Sequence, residues 1–397
     1  MAATKQSAAL IALTQAALAL PCAQAAAADA EGMQVGYLYS AYREADIEAS
    51  RTATGRDEAR YDIDSHLFKL VAPFAESTFN ADLTYETMSG ASPWYVTPGV
   101  DGRPVQVMSG ASIREERVDI QSSWSMPVKR AQLALSAGYS NEDDYEAISG
   151  GLEMQLENAS RTLTWSGGVG YSSDTLEPTD GGSLRFPNRI VEADKSTWNL
   201  YGGVALVVNA RTVIQGSVSY ADHDGFLSDP YKQAWIQSFA NVVNDSRPDG
   251  RRAVAVSARL RHKFEAINAA LHVDYRFHDD DWEIQSHTLE VSLHQQLGQS
   301  WSLVPMLRWY SQSQAFFYDA YYAAPRADGF ASSDYRLSPF GALSARLDLT
   351  KTLGAWTIAT GFEYYKADSS YALEGVNVES PGLVQYMGAQ LRLSYRF

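Results

Sequence analysis

From about residue 33 onward the chain alternates apolar and small or polar residues along short segments. In QLALSAGYS, Leu133, Leu135, Ala137 and Tyr139 are interleaved with Gln132, Ala134, Ser136, Gly138 and Ser140. The same order recurs in Trp198, Leu200, Gly202, Val204, Leu206 and Val208, and again in Trp356, Ile358, Thr360, Phe362 and Tyr364. A period of two sends successive side chains to opposite faces of a strand. Alternation over segments of about ten residues with aromatic flanks marks a strand of a transmembrane β-barrel. A soluble sandwich alternates as well, so periodicity alone leaves both open.

The last strand separates them. Counting back from Phe397, one face carries Tyr395, Leu393, Leu391, Ala389 and Met387, and the other Arg396, Ser394, Arg392, Gln390 and Gly388. This ending, Phe397 and Tyr395 above all, resembles the signal by which barrel-assembly machinery recognises Gram-negative outer-membrane barrels. The resemblance implies outer-membrane lipid and lipopolysaccharide as surroundings.

The pattern predicts strands near 33–47, 60–72, 75–88, 114–127, 130–142, 145–158, 161–173, 194–209, 211–223, 252–265, 268–280, 283–297, 300–314, 337–350, 354–367 and 384–397. That is an all-β chain, a transmembrane antiparallel up-and-down β-barrel of about sixteen strands. Short turns at 209–211, 298–300 and 351–354 alternate with long connections at 89–113, 174–193, 224–251, 315–336 and 368–383. Short turns belong on the periplasmic side and long loops outside, which places both termini in the periplasm. Residues 31–397 form a single barrel domain on this reading. No plug-sized segment precedes the first strand, which argues against a TonB-dependent transporter of about 22 strands.

The N-terminal segment has another character. Lys5, the apolar run AALIALTQAALALP and Ala23-Gln24-Ala25 read as a secretory signal over 1–25, with a boundary as late as 30. The only cysteine, Cys22, lies within it, and Ala19 and Pro21 fit a lipidation site poorly. Cleavage leaves no cysteine for a disulfide, an iron–sulfur cluster or a thiolate zinc site, and no cofactor is called for. The net charge of -15 excludes nucleic acid as a partner, because that needs clustered Lys and Arg.

Met-Ser-Gly-Ala-Ser occurs twice within thirty residues, as Ser89, Gly90, Ala91 and Ser92 after Met88, and as Ser109, Gly110, Ala111 and Ser112 after Met108. The copies close one outward strand and precede the next inward one, so they face each other across the base of an outer loop. Small residues there suit a matched pair of strand-end turns; the functional alternative is a nest of Ser hydroxyls and backbone N–H groups that binds an anion or a peptide.

These paired tracts, with YSNEDDYEAIS, SDPYK at 228–232, RPDGRR at 247–252, YRFHDDDWEIQSHTLE at 275–290, RWYSQSQAFFY and SSDYRLSPFGALS at 332–344, resemble an uncharacterised family of Gram-negative outer-membrane proteins known chiefly as a domain of unknown function. The resemblance covers most of the mature chain. It implies an exported lipoprotein or a redox or flavin-linked protein as partner, and it assigns no activity.

Candidate chemistry sits on the face opposite the apolar one. Arg259, Arg261, His272, Asp274, Arg276, Arg308, Arg346, Asp348, Glu363 and Arg392 fall on inward phases, where charge is tolerated by a wet lumen. Two readings compete there: an aqueous, porin-like conduit for small solutes, or a non-conducting scaffold barrel whose wall charges merely pair. Asp222-His223-Asp224, Asn141-Glu142-Asp143-Asp144 and His278-Asp279-Asp280-Asp281 are weak metal candidates, since none matches a defined spacing. Ser286 and His287 are neighbours on one strand and so point apart, and with no catalytic motif present an enzyme is not expected.

Overall fold

The computed structural model describes residues 32–109 and 113–397. The signal segment, Cys22, and Gly110, Ala111 and Ser112 of the second pentapeptide lie outside the described residues. Among the described residues no helix is long and apolar enough to cross a membrane.

Sixteen strands close into one antiparallel barrel. They are β1 (Gln34–Glu44), β2 (Asp62–Phe74), β3 (Ser77–Gly90), β6 (Ile113–Val128), β7 (Ala131–Asn141), β8 (Tyr145–Glu157), β9 (Leu163–Leu176), β10 (Ala193–Asn209), β11 (Thr212–Gly225), β14 (Gly250–Phe264), β15 (Ala269–Asp280), β16 (Gln285–Leu297), β17 (Trp301–Gln312), β18 (Phe340–Leu353), β19 (Trp356–Asp368) and β20 (Gln385–Arg396). Closure comes from β1 pairing with β20, in register from Gln34↔Arg396 to Glu44↔Tyr386. No edge is left unpaired, which lets a sheet sit in hydrocarbon.

One phase of every strand faces out. Leu83, Ile120, Leu152, Val204, Val218, Leu307 and Phe362 are exposed on it. Two rings of exposed aromatic residues bound this apolar band. Phe74, Trp124, Trp165, Trp301, Trp356 and Phe397 stand near the end where the barrel's first and last strands begin and finish, and Tyr85, Tyr139, Tyr171, Trp198, Tyr275 and Tyr364 near the other. Trp356 and Tyr364 are eight residues apart, about 26 Å along the strand and about 20 Å in height at a tilt of about 40°, close to the apolar band of a membrane barrel. This is the exterior of a membrane-spanning barrel, with amphipathic rings where lipid meets water.

The connections differ in kind at the two ends. Seven turns of two to five residues join strands at the end shared by the barrel's first and last strands, as at 75–76, 210–211 and 354–355; Gly354 takes φ 60 in one of them. At the other end lie long loops at 45–61, 91–112, 177–192, 226–249, 313–339 and 369–384, with two tight turns at 142–144 and 281–284. Two of these loops carry hairpins of their own, β4 (Pro93–Pro98) with β5 (Pro104–Met108), and β12 (Gln233–Ile236) with β13 (Asn241–Asn244). The sequence pattern misses both hairpins because strands of four to six residues carry too few alternations. The loop between β1 and β2 reaches across to 106 through the bridge Thr52↔Gln106.

Candidate functional site

The inner face is uneven. On β7 to β10 it is dominated by small residues such as Ser136, Ser149, Gly151, Ser166, Gly168 and Gly203. Some of that smallness is needed for packing: a Cβ on Gly168 would stand 2.4 Å from the Tyr201 ring. From β14 to β20 the same face is charged. Arg261 forms a two-pronged pair with Asp274, at 2.6 and 2.8 Å, and Arg259 approaches the same carboxylate at 3.9 Å. Arg346 grips Asp348 with two bonds of 2.9 Å, Gln390 donates to Asp348 at 3.0 Å, and Tyr386 donates to Glu363 at 3.1 Å. The rings of His272 and His294 lie 3.8 Å apart. Arg276, Arg308 and Arg392 share this phase and have no carboxylate within ion-pair distance among the described residues.

The mouth on the long-loop side is bridged. Asp334 in the 313–339 loop is wholly buried. It accepts from Arg247 at 2.9 Å and from Arg336 Nε at 2.8 Å, and Lys232 Nζ stands 3.6 Å away. Arg247 also holds Asp245 at 2.6 Å, and Arg336 holds Asp229 at 2.9 Å. Burial alone would raise the Asp334 carboxyl, yet Arg336, Lys232 and Arg247 together hold it well below the usual carboxylate range. Burial pushes the Lys232 ammonium down despite the pull of Asp334. Next to Asp334, the Tyr335 ring lies between two cations, Arg60 at 5.3 Å and Lys232 at 5.5 Å.

Where those cations come from decides what the knot does. Arg60 ends the loop between β1 and β2, and Lys232 belongs to the loop between β11 and β14, on the opposite side of the ring of strands. Their meeting on one tyrosine spans the mouth. Lys232 Nζ donates to Pro93 O at 3.2 Å, Arg60 donates to Gly382 O at 2.9 Å, Tyr321 to Gly102 O at 2.9 Å, and Tyr95 stacks on Trp235 at 6.5 Å. Apolar packing of Trp282, Ile284, Phe317, Tyr318 and Leu337 fixes the base of the 313–339 loop.

The acidic and histidine clusters are divided by the strand period. Asp222 faces out, 3.6 Å from Arg252, while His223 faces in and bonds Thr197 at 2.9 Å; Asp224 returns to the outer phase. His278 and Asp280 share the inner phase, 3.2 Å apart, and Asp280 is taken by Arg251 and by the N–H groups of Trp282 and Ile284. Asp279 accepts from Gln285 and Asp281 from Arg252 N. Neither run converges on one point. Glu142 and Asp144 do converge, with Glu115 from β6, all buried and offering carboxylate oxygens within 4.8 Å of one another. Arg117 lies 3.6 Å from Glu142, and the Tyr231 hydroxyl donates to Asp144. The oxygen donors match a hard divalent cation, and Arg117 already serves Glu142 and Tyr231 serves Asp144. Glu115 is too distant in sequence for spacing to reveal it.

Ser92 and Ser109, one from each pentapeptide, meet. Ser89 and Gly90 end β3, and the copies flank the β4–β5 hairpin. Ser109 N donates to Ser92 O at 2.9 Å, and Ser92 N to Ser109 Oγ at 3.2 Å. Both of these N–H groups already donate within the pair. Ala91 is half-buried beside them. Gly90 has φ 122, and a Cβ there would lie 2.0 Å from Arg60 O. Ser286 faces in and His287 out, where His287 meets the Tyr275 hydroxyl at 2.7 Å. Phe397 N donates to Met33 O at 2.9 Å and its ring packs 4.8 Å from Tyr395.

The family model described as "Protein of unknown function (DUF3570)" matches residues 7–397. The chain belongs to that family. No curated protein matches it. Among solved structures it is similar to a bacterial polysaccharide outer membrane secretin, at 10% identity and a TM-score of 0.48 over 93% of this chain and 99% of that one. It is similar to CdiB from Acinetobacter baumannii at 10% identity and a TM-score of 0.49, covering 92% of this chain and 60% of that one. The outer membrane protein opdK from Pseudomonas aeruginosa shows 8% identity and a TM-score of 0.40 over 92% of this chain and 99% of that one. The chain spans 56% of the siderophore receptor PirA from Pseudomonas aeruginosa.

The tracts that carry the family resemblance converge in space. Asp229, Tyr231 and Lys232 come from SDPYK, Arg247 from RPDGRR, Asp334 and Arg336 from SSDYRLSPFGALS, Asp144 from YSNEDDYEAIS and Pro93 follows the first pentapeptide. All belong to the bridged mouth. Read singly, each tract is only a polar loop, so sequence reasoning quotes many parts of the knot, though not Arg60 or Asp245, and misses their meeting.

Proposed function

We propose that this protein is an outer-membrane conduit for small polar solutes whose outer mouth is latched by the ion-paired knot around Asp334 and Tyr335. The carrying observation is the wall itself, a closed sixteen-stranded barrel with an apolar exterior and an inner face of both charges. Charged side chains on an inner phase are tolerated because water fills the lumen, and their field decides which ions pass. On this reading the short-turn end and both termini face the periplasm, the aromatic rings rest at the lipid and lipopolysaccharide boundaries, and no catalysis is involved.

The test is single-channel recording of the detergent-purified full chain in planar bilayers, with Arg308→Gln and Arg392→Gln variants and reversal potentials in a salt gradient. Current steps whose selectivity shifts in the variants support a conduit. Silence from folded, heat-modifiable barrel, in the wild type and in a variant with the knot disrupted, sinks it.

One observation favours a second reading. The bridged mouth suits a scaffold that conducts nothing and holds an exported lipoprotein or a redox or flavin-linked partner from the periplasmic end. Stable co-purification of such a partner with a silent barrel distinguishes the two.

A further inference from the structure

The net charge of -15 suggests a preference for cations, but one part of the inner wall has the opposite character. Arg261 and Arg346 are each gripped by a carboxylate on the same wall. Arg276 on β15 and Arg308 on β17 are not. Arg276 lies across from Thr288, which lies across from Tyr310, two residues along β17 from Arg308. Both arginines are partly exposed to the lumen. The Arg276 Nε atom is nevertheless buried with no hydrogen-bond partner. So is the hydroxyl of Ser344, the residue directly across from Arg308 on β18. The Tyr310 hydroxyl cannot serve Arg276 as a charge partner, and it already donates to Gln312 at 2.6 Å. The acid nearest in register is Glu290, cross-strand neighbour of both Arg308 and Asp274, and it makes no ion pair among the described residues.

Buried donors left unmade are rare in native folds and call for an explanation. Arg276 has no carboxylate beside it and Arg308 has only Glu290 across the ladder, short of ion-pair contact, while the two guanidinium charges oppose each other, a cost that an anion between them relieves. The planar guanidinium fork matches the paired oxygens of a carboxylate or phosphate, and a hydroxyl donates to the same kind of oxygen. We propose that Arg276, Arg308 and Ser344 form a lumenal binding site for a solute bearing an oxyanion. The site rests on the conduit reading only for the route by which the solute arrives.

The experiment is calorimetric titration of the detergent-purified full chain with inorganic phosphate and, separately, with citrate, against chloride at equal ionic strength. Saturable binding of at least one probe is expected, and the two arms show which oxyanion is preferred. Arg276→Gln and Arg308→Gln should each weaken it about ten- to a hundredfold, the worth of one charge-assisted hydrogen bond. Lys69→Gln, which removes a cation paired with Asp82 on another part of the wall, should leave it unchanged. Ser344→Ala, which deletes a single hydroxyl, should weaken it less and serves where an arginine variant fails to give a heat-modifiable barrel. No saturable binding of either probe, or equal binding in the arginine variants, or an equal loss in Lys69→Gln, overturns the site. Binding without current in a knot-disrupted barrel removes the conduit and keeps the site; current without binding does the reverse.

Discussion

Replacing Asp334 by Ala removes the one carboxylate shared by three cations. Lys232, Arg247 and Arg336 all lie within 3.6 Å of it, and all are largely buried. Arg247 keeps Asp245 and Arg336 keeps Asp229. Lys232 keeps the Pro93 carbonyl and the Tyr335 ring at close range, and of the carboxylates acting on it only Asp229, already held by Arg336, remains. Breaking a buried pair by deleting one partner costs about 3–5 kcal/mol, because the other charge stays buried. Contributions around one carboxylate are coupled, so the three pairs do not add. The ladder of the sixteen strands is untouched, so the loss falls on the loop cap. A change of this size shifts the ratio of open to latched mouth by roughly two to four decades. Two assays read it: the open fraction in planar bilayers, and trypsin cleavage after Lys232 and Arg336 in intact folded barrel. Asp334→Asn, which keeps an acceptor without the charge, should fall between. Unchanged protease resistance, or loss of the heat-modifiable barrel along with the cap, would refute the idea of a latch separable from the wall.

Further outcomes follow from the same geometry. The Asp334 carboxyl lies well below its ordinary value in the folded chain, so its contribution is complete above the unfolded-state value of about 3.9 and lost only as pH falls through the depressed folded value. Burial raises the Asp245 carboxyl despite Arg247, so its ionised form is a cost at neutral pH that acid relieves. The cap should therefore resist pepsin at pH 4 as it resists trypsin at pH 7, and opening at pH 5 would contradict the arrangement. Phe362, on the outer phase of β19, is 63% exposed and lies one outward position inside the Tyr364 ring; Phe362→Arg should cost about 1–3 kcal/mol in lipid, between the interface and midplane values, measured by urea unfolding in bilayers, and a neutral result would deny the lipid band. Gly90→Ala puts a Cβ 2.0 Å from Arg60 O at φ 122. Strain of about 1–3 kcal/mol should loosen the base of the 45–61 loop, visible as faster amide exchange at Arg60 and Tyr61.

Much of the wall was legible in the chain. The period of two, read from runs such as Gln132–Ser140 and Trp356–Tyr364, carries strand positions, strand number and closure, because a barrel in lipid must put apolar side chains on one face of every strand. For the same reason the phase of Arg261, Asp274, Arg346 and Asp348 could be read before any contact was known. Their pairing could not: Arg261 chooses Asp274, and Arg346 chooses Asp348 two residues along its own strand, by register and rotamer. The mouth was decided by tertiary structure alone. Asp334, Lys232 and Arg60 lie on loops with no period, up to 274 positions apart by their numbers, and nothing local says that they meet. The short hairpins, the Glu115 carboxylate beside Glu142 and Asp144, and the separation of His278 from Asp279 belong with them. Alternation is a local property that burial writes into every strand, whereas a buried charge finds its partners through the closure of the whole barrel, which brings opposite sides of the ring together over one opening.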